Sequence, residues 1–91
     1  MIRAMAKSFK ISIISPEKTV YEGEAVSLVV PCESGYLGVL ADHVPLVSKL
    51  KTGHIFLRKP SQENISFNIS GRGFLEVLKN NVSIILDSAV V

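Results

Sequence analysis

Ninety-one residues with a net charge of +2 and one cysteine make a single small domain that no disulfide can staple. So slight a positive balance, with no Lys/Arg stripe and no alternation of aromatic and basic residues, excludes a nucleic-acid platform. Val and Ile are prominent among the apolar residues, and branching at Cβ suits a pleated strand better than a helix.

The basic start, Met1 to Lys10, is followed by Ile11-Ser12-Ile13-Ile14-Ser15-Pro16, too short and too polar for a secretory apolar core. No later stretch approaches the roughly 20 apolar residues that span a bilayer. The expected location is cytosolic or stromal. Residues 1–7 are expected to be an extension, with Met5 an alternative start, and residues 90–91 a tail.

Phe9 to Ile14 alternates, with Phe9, Ile11 and Ile13 on one face, and reads as a half-buried strand. Ser15 to Lys18 ends it, because Pro16 has no N–H to give a ladder. Thr19 to Tyr21 restarts a strand, Glu22-Gly23-Glu24 turns or bulges, and Ala25 to Val30 runs on until Pro31 stops it. Tyr36 to Leu40 is a short strand in which Gly38 would let a backbone or a partner approach. Leu37, Leu40, Val44 and Val47 also fit a helical spacing, but Pro45 would cost about 3 kcal/mol inside a helix, which favours strands. Leu46 to Leu50, His54 to Leu57, Ile65 to Ile69, Phe74 to Leu78 and Val82 to Leu86 complete the set. Turns fall at Lys51-Thr52-Gly53, Arg58 to Glu63, Gly71-Arg72-Gly73 and Lys79-Asn80-Asn81.

With no helical segment between strands, the pattern predicts an all-β fold, an antiparallel β-sandwich or flattened barrel of about ten short strands, over residues 8–89. A parallel sheet is not expected.

The sequence offers no cofactor site: Gly71-Arg72-Gly73 lacks the third glycine and helix of a dinucleotide loop. Cys32, Asp42, His43 and His54 lack metal-ligand spacing, so no metal is expected. A Cys32–His43 nucleophile pair would need an orienting third group. Asp42, next to His43, would point to the opposite face of a strand. No catalytic residue is therefore assigned, and Cys32 reads as a small half-buried packing residue. A free-standing β-sandwich that binds a small ligand is the alternative. With no Trp and two Tyr, the chain is poorly supplied for such a site. Tyr36 and His43 read either as local packing and turn residues or as contacts for a protein partner.

Five stretches in order carry a resemblance: Ile13 to Lys18 with Val20 to Gly23; Gly35 to Leu40 with His43 to Leu46; Leu50 to Gly53; Ser70-Gly71 with Gly73 to Val77; and Asn80 to Val82 leading to Leu86 to Ala89. Together they resemble the N-terminal β-sandwich domain of the F-type ATP synthase epsilon subunit, called delta in mitochondria. The resemblance implies a non-catalytic central-stalk subunit without a cofactor. It would bind the gamma subunit and the c-subunit ring, and turn with them to couple ion-driven rotation to ATP synthesis. It implies a peripheral place on the cytoplasmic side of a bacterial inner membrane, or on the stromal or matrix face in an organelle.

By the same resemblance, Glu33, Tyr36, Leu37 and Asp42 would meet the ring, and Ser15, His43 and Val44 would approach gamma. An apolar strip on an outer face would be left for gamma to cover. The chain departs from the family where Tyr36 replaces an acidic residue, where Ala41-Asp42 replaces Pro-Gly, and where Arg72 is inserted in a Ser-Gly-Gly-Phe turn. Most epsilon subunits continue into a helical hairpin that restrains ATP hydrolysis. An end just after Ala89 implies a fragment or a short form that couples without inhibiting and has no nucleotide site.

Overall fold

Alternation of apolar and polar residues lets each strand bury one face, and the strands meet around one core. A computed structural model describes residues 7–87. The expected domain end at residue 89, the tail, and the extension apart from Lys7 lie outside the described residues. Nine strands occur among them: β1 (Phe9–Ile14), β2 (Thr19–Ala25), β3 (Ser27–Cys32), β4 (Gly35–Val39), β5 (Leu46–Leu50), β6 (Gly53–Arg58), β7 (Asn64–Ile69), β8 (Gly73–Leu78) and β9 (Asn81–Leu86).

The strands follow one path, β2-β1-β9-β8-β5-β3-β6-β7, with β4 added to β3. The link between β5 and β3 is a single pair, Leu50 opposite Cys32, so the path can fold there and bring two inner faces together. Ile11, Ile13, Leu28, Val30, Ile55, Leu57, Leu75, Val77, Val82 and Ile84 form the core between those faces. The two ends of the path approach through side chains: the Tyr21 ring on β2 lies 5.8 Å from that of Phe67 on β7. The result is the expected all-β flattened half-barrel.

Three local expectations are corrected. β1 and β9 pair in parallel, Lys10 with Asn81 through Ile14 with Ile85, although every other pairing is antiparallel. A parallel pair needs a crossover of a dozen or more residues. Here the intervening chain is the rest of the domain, so no helix is required. Gly23 is not in a turn, because β2 pairs with β1 continuously from Phe9–Ala25 to Ile13–Tyr21 and the irregularity falls later, between Ile13 and Ile14.

Pro31 does not stop β3; it sits inside that strand opposite Tyr36. Its carbonyl accepts the Lys51 N–H at 2.9 Å, so its nitrogen faces the same edge. Along that edge the partner of β3 changes from β6 to β5, and a missing donor breaks no ladder.

Candidate partner-binding surface

At one end of the half-barrel, Glu33 and Ser34 link β3 to β4, and Gly35 takes a φ of 132° that side chains rarely adopt. Tyr36, first after that glycine, reaches across β3 to β6. Its hydroxyl accepts the His54 backbone N–H at 3.3 Å. A Cβ on Gly53 would lie 2.8 Å from Pro31 Cβ and 3.0 Å from the Tyr36 oxygen, so the close seat of this ring requires glycine there. The ring is still 56% exposed. Tyr36 is therefore both a lid and an open apolar surface, the two alternatives its sequence context allowed. Leu37 is half-buried against the core, and Gly38 opens onto empty space.

Beside Glu33 lies a groove with Leu50, Phe74, Ile85 and Leu86 in its walls and Lys49, Arg72 and Asp87 at its rim. Arg72 is held by its backbone. Its N–H donates to Asp87 Oδ1 at 2.9 Å, and the Asp87 N–H donates to its carbonyl at 3.0 Å.

At the opposite end the chain turns between β4 and β5. The His43 N–H donates to the Leu40 carbonyl at 3.2 Å, and Asp42, third in that turn, has a φ of 65°. A positive φ at the third residue is the type II pattern, where Gly or Asn is usual. Asp42 is held by three bonds. Its N–H donates to Asn80 Oδ1 at 2.6 Å, Asn80 Nδ2 donates to its Oδ1 at 3.0 Å, and Lys7 Nζ pairs with its Oδ2 at 2.8 Å. The Lys7 ammonium first, and the Asn80 amide second, hold the Asp42 carboxyl below its ordinary value of 3.8. His43 Nδ1 lies 2.8 Å from the Val44 carbonyl. A carbonyl only accepts, so Nδ1 donates in this contact. Leu40 and Val44 are 63% and 70% exposed.

The structure places the expected contact residues at two ends of the half-barrel. Asp42 joins His43 and Val44, away from Glu33, Tyr36 and Leu37. Ser15 stands at the Glu33 end, since it follows Ile14, which pairs with Ile85 next to the groove. The Lys10 N–H, by contrast, donates to the Asn80 carbonyl at the Asp42 end. The length of β1 between them is about 16 Å at roughly 3.3 Å per residue. Ser15 is buried, and its hydroxyl donates to the Lys18 carbonyl at 3.2 Å, so it shapes its turn and presents little side chain. Cys32 is buried at the Glu33 end, opposite Gly35, and does not meet His43. Among the described residues no three His, Cys, Asp or Glu side chains are grouped to hold a metal ion.

An apolar strip on an outer face is expected with no residue assigned to it, and the exposed side chains of one sheet supply candidates. On the outer side of β5, β8, β9 and β1, among the exposed Lys10, Lys49, Glu76 and Asn81, stand Val47, Phe74, Leu78, Ile85 and Ile14, five of the nine large apolar side chains that are exposed among the described residues. Register aligns three of them in one row, Phe74 opposite Ile85 and Ile85 opposite Ile14. Outward residues of a sheet with one buried face are ordinarily polar. The signal was in the sequence: Phe74-Leu75 and Ile84-Ile85-Leu86 put apolar residues on both faces of their strands.

The β-sandwich domain of the ATP synthase delta/epsilon chain matches residues 8–91. The chain belongs to this family. A relative named ATP synthase epsilon chain from Dichelobacter nodosus is 39% identical over 85 residues, covering 93% of this chain and 59% of the relative. Another of that name, from Leptospira borgpetersenii, is 47% identical over 83 residues, covering 90% and 63%. The chain thus spans about three fifths of the relatives it matches. A chain in the Euglena gracilis mitochondrial ATP synthase structure (OSCP/F1/c-ring) superposes with a TM-score of 0.81 at 20% identity, over 89% of this chain and 51% of that one. One in the Tetrahymena thermophila mitochondrial ATP synthase central stalk/c-ring gives 0.75 at 16% identity, over 90% and 64%. At these identities the superpositions establish the fold. Among the described residues no helix is long and apolar enough to cross a membrane.

Proposed function

We propose that this epsilon-type domain is a rotor part of an F-type ATP synthase, joining the gamma subunit to the c-subunit ring so that ion-driven rotation reaches the catalytic head. Its role is mechanical and non-catalytic, and it sits peripherally on the membrane side that bears the head, the cytoplasmic side in a bacterium.

The observation that carries the reading is the apolar outer face of β5, β8, β9 and β1 in a member of this family. Permanent complexes cover large apolar surfaces, whereas a free monomer rarely leaves a contiguous one open. Gamma would cover that face and reach His43 and Val44 at one end, with Ser15 supporting the turn at the other. The ring would meet Glu33, Tyr36 and Leu37, where a hydroxyl and an apolar ring take the place of a second carboxylate. Asp42 lies with the gamma group in this arrangement. The sandwich suits torque transfer because two packed sheets about 10 Å apart leave few soft internal motions.

Co-purification from detergent-solubilised membranes of the source cell tests the reading. Recovery of gamma and c subunits on the tagged chain is expected. Recovery of neither, with the chain folded, would refute it.

A further inference from the structure

The shape of the 40–45 loop is fixed from outside the loop. Asp42 and Asn80 both occupy the left-handed region, at φ values of 65° and 62°. Asp and Asn tolerate it because a short polar side chain can satisfy nearby backbone. Here each engages the other: Asn80 Oδ1 takes the Asp42 N–H, and Asn80 Nδ2 gives a bond to Asp42 Oδ1. Asn80 is itself anchored, since its carbonyl accepts the Lys10 N–H from β1 at 2.9 Å. Lys7 occupies the other Asp42 oxygen. Both carboxylate oxygens are thus engaged within the chain, while Leu40 and Val44 on the same loop stand open.

We propose that Asp42 and Asn80 form a positioning latch that presets the 40–45 loop for its partner; the proposal rests on the reading that His43 and Val44 meet gamma. Asp42 then acts through the loop and not by touching the partner. A loop ordered beforehand spares the partner the entropy of ordering it. Where loss of the latch leaves the competent shape about one tenth populated, apparent affinity falls about tenfold.

The test uses the full chain and three variants. Both Asn80→Gly and Asp42→Gly keep the left-handed backbone accessible. Asn80→Gly deletes both latch bonds, whereas Asp42→Gly deletes the Asn80 Nδ2 bond and the Lys7 pair but keeps the residue-42 N–H on Asn80 Oδ1. Asp42→Asn keeps an oxygen for the Asn80 amide and loses only the Lys7 charge pair. Amide exchange of Asp42 and His43 is compared with that of β8 and β9, and affinity for the purified gamma subunit is measured by calorimetry. Both glycine variants should keep strand protection. Asn80→Gly should lose loop protection and bind gamma about tenfold more weakly, Asp42→Gly should lose less of each, and Asp42→Asn should stay close to the parent. Unchanged loop protection, parental affinity after its loss, or an Asp42→Asn variant as weak as Asp42→Gly would each overturn the latch. A parent chain that does not bind gamma overturns the docking reading, while loop exchange still decides whether the latch exists.

Discussion

At Gly73 a Cβ would stand 2.6 Å from the Ile85 carbonyl oxygen and 2.9 Å from Leu86, inside a paired strand whose backbone cannot step aside. Gly73→Ala should therefore destabilise the domain by about 2 kcal/mol or more in a denaturant titration. Gly38→Ala should change little, because no atom lies within 4 Å of the added methyl. Equal effects would show that space at these glycines is not what decides. Asp42 gives the second prediction at this scale. Its carboxyl is more acidic folded than unfolded, through Lys7 first and Asn80 second. The stabilisation is present above the ordinary carboxylate range and is lost as pH falls through the lowered value. Asp42→Asn should lower Tm slightly above the ordinary carboxylate range and leave the acid end nearly unchanged, so that the acid limb of a Tm–pH curve becomes shallower. The effect is small, since the pair is exposed and screened. A steeper acid limb in the variant would contradict the assignment. The sequence marked Asp42 and Tyr36 as placed residues, but their partners were not legible. Asn80 is 38 residues from Asp42, and His54 is 18 from Tyr36.

At the scale of strands, periodicity exposed most of the fold, because a half-buried strand must alternate. β1, β7, β8 and β9 lie where Phe9, Ile65, Phe74 and Val82 opened their runs, within a residue. The misreadings came from Pro and Gly used as stops. Pro31 and Gly23 break a strand only when their edge or φ conflicts with a ladder, and that depends on which neighbour the fold supplies. The doubly apolar strands form the proposed docking face. Phe74→Ser with Ile85→Ser removes two side chains that are each 52% exposed and should shift stability by less than about 1 kcal/mol. Solubility should rise, and gamma recovery in a pull-down should fall at least about tenfold if the two side chains lie near the centre of the interface. Full recovery by the double variant would place gamma elsewhere.

Across the whole molecule, the sheet path begins at β2 and ends at β7, and no backbone ladder joins these two strands. What brings them together is side-chain packing, with Tyr21 and Phe67 at its visible seam. The other margins are set by register: β9 lies between β1 and β8, so the first and last described strands lock each other by hydrogen bonds along five pairs. Stability should therefore be uneven, firm where ladders run on both sides and softer at the seam. Tyr21→Ala removes one half of the tilted aromatic pair and part of the cover over the core, and should cost about 1–3 kcal/mol. Its signature is spatial: amides of β2 and β7 should exchange faster by a larger factor than those of β8 and β9, measured by residue-resolved hydrogen exchange. Such a result would mean that the half-barrel can breathe at one side while the β5-β8-β9-β1 face keeps its shape. Equal acceleration in every strand would mean that the seam and the face open as one unit, and the β5-β8-β9-β1 sheet would then owe its stiffness to closure of the whole half-barrel.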